Sequence, residues 1–323
     1  MIVVTGAAGF IGSAIVHELN NRDRDDIIIV DELNKPEKKK NVETLRFAAM
    51  QTKEKFLENI VNGKTSDIKA IIHMGACSST TETNLNYLIK NNLDYTKHIA
   101  SFALENGIRF IYASSAATYG SGENGYDDDE ELLETLVPLN PYGNSKQQFD
   151  LWAKNENVLN QIVGLKYFNV YGPNEYHKGN MQSMVRKGFL QITETKKLEL
   201  FKSYRPEYSD GGQVRDFIYI KDAVDMTLYF LDRPEIGGLF NIGTGKARCW
   251  NDLAKAIFEA LQIEAKIEYI EIPEGIRDQY QYYTCAKMGK INNFGYHKRV
   301  LSLEDGVYEY VKNYLIHGKR LGN

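Results

Sequence analysis

The sequence predicts an α/β protein, with a doubly wound and mainly parallel sheet followed by a smaller α/β region. Three features of the 323-residue chain carry that prediction. Short apolar, β-branched runs alternate with helical stretches through the first half, the pattern of a parallel sheet covered on both faces. A glycine-rich turn at residues 6–12 follows the first run directly. The second run ends in an acidic residue, Asp31.

In chain order, residues 1–5 form the first buried strand and 10–19 the helix after it. Residues 26–30, rich in Ile, form the second strand. The Lys38-Lys39-Lys40 cluster is expected in a solvated loop. Helices are expected at 56–61 and 95–104, and strands at 70–73, 109–113 and 161–167. After Gly172 the texture changes. A helix over 179–192, a strand at 198–201, a polar loop at 209–212, a strand at 216–220 and a helix at 221–231 follow. A dinucleotide-binding part is therefore expected over 1–167, with returns near 216–245 and 281–300. The remainder of 168–323 is mainly substrate-binding.

Composition narrows the class. A net charge of −4 gives no basic surface for nucleic acid or an anionic membrane. Cys77, Cys249 and Cys285 form no CxxC and leave one unpaired, which suggests reduced thiols in a cytoplasmic protein, with neither disulfides nor a metal site. The first residues lack a basic segment and are broken by glycines, as a first strand is and a signal peptide is not. No apolar run approaches the roughly 18 residues of a membrane span.

Gly6, Gly9 and Gly12 lie between a strand and a helix. Such a turn lets the backbone approach a pyrophosphate, and the helix start offers free N–H groups and the positive end of its dipole. Asp31 stands at the end of the next strand, where a ribose hydroxyl sits in a Rossmann-type dinucleotide fold. Asp31 favours the 2′-hydroxyl of NAD. Lys35, Lys38 and Lys53 favour the 2′-phosphate of NADP.

Tyr142 and Lys146 form a YxxxK pair after Pro141, on one face of a predicted helix. A nearby ammonium is expected to lower the phenol pKa and allow proton transfer near neutral pH. The spacing also occurs at Tyr283/Lys287 and Tyr308/Lys312, so context must choose. Only the first pair follows the small-residue stretch 113–120, past the carboxyl end of a parallel strand, where open α/β sheets bind ligands. Ser115 in that stretch is placed to hydrogen-bond the oxygen that Tyr142 deprotonates.

These segments, with KYFNVYGP at 166–173, RDFIYIKD at 215–222 and FNIGTG at 240–245, resemble the extended short-chain dehydrogenase/reductase family. More narrowly, GACSSTTE at 75–82 and Tyr176-His177-Lys178-Gly179 resemble the ADP-L-glycero-D-manno-heptose 6-epimerases. The resemblance implies NADP, an ADP-sugar substrate, a role in making the lipopolysaccharide inner core, and a homo-oligomer, often a pentamer. It places Phe10 and Ile11 at the phosphates. Asp31, Glu32, Lys38 and Lys53 fall at the adenosine ribose, and Met74, Gly75, Ala76, Cys77, Ser78 and Asn91 along the cofactor. It gives Tyr142 and Lys178 the two acid/base roles, with Lys178 also at the cofactor, and Lys146 the nicotinamide ribose. Asn169 and Val170 meet substrate and cofactor. Asn180, Lys187, Phe201, Lys202, Ser203, Tyr204, Arg215 and Tyr280 fall on the substrate side. Glu32, Met74, Asn180 and Lys187 stand where the family commonly has Asn, Glu, Ser and His, and Lys202-Ser203-Tyr204 replaces a glycine-containing turn.

The implied reaction oxidises C6 to a transient ketone and reduces it from the other face. Two bases are needed because the two epimers present the hydroxyl on different sides. A nucleotide-hexose 4-epimerase is the alternative. A 4,6-dehydratase usually has Asp-Glu where this chain has Thr118-Tyr119. A non-catalytic nucleotide sensor often loses the tyrosine or lysine, and both are present here.

Overall fold

The computed structural model describes residues 1–63, 65, 67–277 and 280–323. Its strands in chain order are β1 (Ile2–Thr5), β2 (Ile27–Val30), β3 (Ala49–Gln51), β4 (Ala70–His73), β5 (Arg109–Ser115) and β6 (Ile162–Tyr167). Then come β7 (Asn169–Tyr171), β8 (Leu198–Phe201), β9 (Val214–Tyr219), β10 (Gly238–Ile242), β11 (Ala247–Cys249) and β12 (Ile267–Ile270). Seven form a parallel sheet in the order β10-β6-β5-β4-β1-β2-β3. The order reverses beside β1, which makes the carboxyl ends of β1 and β4 the switch point of a doubly wound sheet. Smaller sheets, β11-β9-β7 and β12-β8, lie beyond it.

Alternation along the strands divides the core. Ile2 and Val4 pack with Ile15, Leu19 and Leu228 on one face. Val3 packs with Ile71, Ile99, Phe110 and Phe149 on the other. Every residue of β1 and β4 is buried, which is why these strands show no polar alternation and carry a polar residue only at the end, Thr5 and His73.

Three expectations change. The lysine cluster lies in the helix Pro36–Val42, not in a loop, because Pro36 opens its first turn and Val42 packs into the core. The expected helix over 179–192 begins later, at Met184. Gly179 takes φ 54° inside a 3₁₀ turn, Tyr176–Met181, and Ser183 caps the helix Met184–Thr195 by accepting the Arg186 N–H. Finally, β9 pairs with β7 and β11 in a small sheet, while the helix Ile220–Leu231 and β10 join the large one. The stretch 281–300 adds no strand, but Ile291 and Tyr296 pack beside Ile236 and Phe240. Among the described residues no helix is long and apolar enough to cross a membrane.

Candidate active site

The glycine loop is shaped by close backbone contact. Gly6 has φ 64°, and a Cβ on it would come within 2.7 Å of the Gly75 nitrogen. A Cβ on Gly12 would fall 2.1 Å from the Gly6 carbonyl oxygen. Only glycine allows the loop to close this tightly on β4 and on its own helix. The helix Phe10–Asn21 then starts at Gly9 with no side-chain cap, so its first-turn N–H groups point toward a cavity of about 640 Å³. Loop, helix start and cavity together fit the pyrophosphate of a dinucleotide.

Asp31 is almost buried and fully engaged. One carboxylate oxygen accepts the Ala8 N–H at 2.8 Å; the other accepts the Glu32 N–H at 2.7 Å and the Lys38 ammonium at 2.5 Å. It thus braces the glycine loop while lining the cavity. Lys53 donates to Asn91 Oδ1 at 2.5 Å. Asp31, Glu32, Lys38, Lys53, Cys77 and Asn91 line a smaller cavity of about 230 Å³ beside the first.

Asn140 caps the next key helix, Pro141–Asn155, by accepting the Gly143 N–H at 2.8 Å. Tyr142 is therefore in its first turn. Gly143 lets the helix settle on the serine turn, since a Cβ there would come 2.7 Å from the Ala117 oxygen. Tyr142, Lys146 and Ser115 all line the larger cavity. Lys146 is buried, donates to the Ala113 carbonyl at 2.7 Å, and has its pKa lowered to about 8 by burial. One expectation fails here. Burial raises the Tyr142 phenol above its ordinary pKa, offset in part by the Ser115 hydroxyl, and Lys146 is not among the groups that lower it. Lost hydration of the buried phenol outweighs any attraction the ammonium exerts on a phenolate.

Lys178 sits on the turn Tyr176–Met181 and faces the same cavity, its ammonium 5.3 Å from the Phe10 ring centroid. Burial lowers its pKa, offset by Glu175. Asn169, Val170, Asn180 and Lys187 also line the wall. Phe217, Trp250 and Leu253 line it as well. The remaining expected substrate residues lie beyond that wall in an adjoining aromatic and cationic cluster. The Trp250 indole donates to the Tyr280 hydroxyl at 3.0 Å, and the Arg215 guanidinium is 5.5 Å from the Trp250 ring and 5.4 Å from the Tyr280 ring. Phe201 packs edge-on against Tyr280 at 5.9 Å. Lys202 and Tyr204 are turned away toward Glu271, and the Ser203 hydroxyl is bonded to the Arg205 carbonyl. The other two YxxxK pairs are elsewhere: Tyr308 is 57% exposed, and Lys287 pairs with Asp127.

The sequence model of the NAD dependent epimerase/dehydratase family matches residues 2–243. The chain belongs to that family. It is 50% identical over 316 residues to an ADP-L-glycero-D-manno-heptose-6-epimerase of Nitratidesulfovibrio vulgaris, covering 98% of each chain. It is 48% identical over 325 residues to one from Fusobacterium nucleatum, again over 98% of both. The crystal structure of the Helicobacter pylori ADP-L-glycero-D-manno-heptose-6-epimerase superposes with a TM-score of 0.83 at 27% identity, covering 98% of this chain and 96% of that one. A nicotinamide dinucleotide is the family's cofactor, and the glycine loop described above fits it.

Two buried groups of this epimerase/dehydratase escaped the sequence reading. Asn92, in a π-helical turn, accepts the Cys77 N–H at 2.8 Å and donates to the Cys77 carbonyl at 2.9 Å and to the Ser145 hydroxyl at 3.0 Å. Ser145 in turn donates to the Tyr142 carbonyl at 2.7 Å. Asn92 thereby ties the loop of Cys77 to the helix of Tyr142. Behind the serine strand, Lys166 donates to Asp150 at 3.0 Å and to Thr118 at 2.7 Å, and Asp150 also accepts from Tyr112 and Ser114. Lys166 and Asp150 are both fully buried.

Proposed function

We propose that this chain epimerises ADP-D-glycero-D-manno-heptose at C6 to ADP-L-glycero-D-manno-heptose, through a transient 6-ketone, with NADP retained between turnovers. The observation that carries the reading is one cavity, lined together by the glycine loop, Tyr142 and Lys178. Its two proton-exchanging groups come from different elements, as a reaction on two faces of one carbon requires. Identity of about half to the relatives above supports the same substrate.

Bound on the loop, the nicotinamide supplies reversible removal of the C6 hydrogen with its electron pair. The chain supplies the proton transfers and the geometry. Burial moves Tyr142 toward its acid form and Lys178 toward its neutral amine. One takes the proton of the C6 hydroxyl. The ketone turns about its exocyclic bond, and the other returns a proton to oxygen. Ser115 holds that oxygen, and Lys146, fixed on Ala113, holds the nicotinamide ribose.

NADP is the preferred dinucleotide in this reading. Asp31 is already neutralised by Lys38 and two N–H groups, so its repulsion of a 2′-phosphate is reduced, and Lys53 faces the same small cavity. The reading extends to a cytoplasmic homo-oligomer, a pentamer by resemblance, that makes a lipopolysaccharide inner-core precursor. Residues 1–167 hold the dinucleotide, with the returns near 216–245 and 281–300, and most of 168–323 holds the sugar. The test is to incubate the enzyme with ADP-D-glycero-D-manno-heptose and separate the epimers by chromatography. Formation of the L-epimer is expected. No turnover of the heptose together with conversion of a UDP-hexose to its 4-epimer would replace this reading with the 4-epimerase.

A further inference from the structure

We propose that Arg320 is a positioning residue for Lys178, an inference that rests on the two-base reading above. Arg320 lies 142 positions from Lys178 in sequence, yet its side chain joins the pieces that surround it. It is 7% exposed. Its guanidinium bonds the Glu37 carboxylate and donates to Asn41 Oδ1 at 3.2 Å, and it lies 4.8 Å from the Tyr176 ring centroid. A guanidinium buried to this degree needs its planar set of donors met, so these contacts fix its orientation.

Each partner leads to the site. Glu37 and Asn41 belong to the helix that supplies Lys38. Asn41 also donates to the Ala8 carbonyl of the glycine loop at 3.1 Å and to the Asn174 carbonyl at 2.9 Å. Tyr176 opens the 3₁₀ turn that carries Lys178, and its hydroxyl donates to the Lys319 carbonyl at 2.6 Å. A second guanidinium, Arg186, lies 4.2 Å from the same ring.

The turn needs such bracing. It is six residues long, has 3₁₀ geometry, and contains Gly179 at φ 54°. Turns of that kind hold themselves weakly. Glu175 secures one end, accepting the Ser183 hydroxyl at 2.7 Å, and Arg320 secures the other through Tyr176 and Asn41. A proton-transfer group displaced by about 1 Å loses on the order of 100-fold in rate. Arg320 therefore acts on turnover through the place it gives the Lys178 ammonium.

A double-mutant cycle of Arg320→Ala and Lys178→Met, run with NADP and ADP-D-glycero-D-manno-heptose, tests this. Arg320→Ala is expected to lower kcat by about 10- to 100-fold with KM within about threefold. In the Lys178→Met background the same change should cost less than about twofold, because there is no base left to position. Penalties that multiply across the two sites would overturn the inference and assign Arg320 to general stability or cofactor binding. An Arg320→Ala enzyme with unchanged kcat would overturn it as well. Full kcat in Lys178→Met alone would instead remove the two-base reading itself, and that single variant tells the two failures apart. Should Arg320→Ala not accumulate folded, Arg320→Lys carries the same cycle. It keeps a charge for Glu37 but loses the planar fork, and about a fivefold loss with the same non-additivity is expected.

Discussion

Acid should weaken this fold most strongly through His73, whose pKa is lowered further than that of His177. His73 ends β4, 2% exposed, between the glycine loop and the helix of Asn92. The hydrogen bonds around it settle its tautomer. Thr96 donates its hydroxyl to the Asn92 carbonyl at 2.7 Å, so it accepts from His73 Nε2 at 3.0 Å. His73 Nδ1 is then an acceptor, 2.6 Å from the Thr5 hydroxyl, which itself accepts the Gly75 N–H at 3.0 Å. A second ring proton would take the remaining lone pair of the Thr5 oxygen and deprive that hydroxyl of its own acceptor. Burial, helped by the nearby Lys146 charge, accordingly lowers the pKa from 6.5 to about 3.

The sign follows from proton counting. Between pH 6.5 and about 3 the unfolded chain binds a proton at His73 that the folded chain refuses. Stability therefore rises with pH through that window, and it is lost as pH falls below 6.5. The full loss is about 5 kcal/mol, at about 1.4 kcal/mol per tenfold change in proton affinity. Roughly 2 kcal/mol of it is gone by pH 5. Urea titrations of the cofactor-free protein at pH 7.5 and pH 5 measure the drop. His73→Asn removes the titration while keeping an acceptor for Thr5. Its stability is expected to start lower at pH 7.5 but to fall by about 2 kcal/mol less than that of the parent. Equal falls in the two proteins would refute the argument and move the acid sensitivity to other groups, His177 first among them.

Tyr142→Phe should lower kcat for epimerisation by at least about 100-fold. Tyr308→Phe, at an exposed site, should be silent in the same assay, and near-normal turnover in the first variant would remove Tyr142 from the chemistry. Calorimetry on cofactor-free protein should give tighter binding of NADP than of NAD. Lys38→Ala/Lys53→Ala should erase the difference, and equal affinities in the parent would contradict the assignment. Lys166→Met leaves Asp150 buried without its counter-charge and should cost about 3–5 kcal/mol in urea unfolding. Adding Asp150→Asn should recover most of that loss, and a double variant no more stable than the single would contradict the ion-pair account.

The sequence carried the large sheet clearly because β1 and β4 are buried on both faces and are apolar up to their last residues, Thr5 and His73. The glycine loop was legible for a related reason: Gly6 and Gly12 occupy places that no side chain can share. What failed depended on contacts between distant segments. The basic cluster at 38–40 looked solvated because its helix has only one short apolar edge, and Asp31 seven residues earlier gives Lys38 its place. Asn91 was singled out and Asn92 was not, although Asn92 makes the buried bonds to Cys77 and Ser145. A π-helical turn shifts the facing of side chains away from the 3.6-residue period. The helix Trp250–Leu261 does not figure in the sequence reading, and its start carries an unusual cap: Cys249 accepts the Asp252 N–H, and Asp252 accepts the Cys249 N–H. The raised pKa of Tyr142 was out of reach as well. Residue spacing gave the neighbour on the helix, but the burial that raises the phenol pKa is decided by how distant segments pack around it.

The most direct test of the central claim follows the hydrogen on C6. The enzyme with NADP is incubated with ADP-D-glycero-D-manno-heptose in D₂O, and the separated epimers are analysed by NMR and mass spectrometry. Removal and return of that hydrogen within one closed site predicts an L-epimer that keeps protium at C6, because Tyr142 and Lys178 exchange only the hydroxyl proton. Solvent deuterium at C6, or inversion at another carbon, would contradict the account.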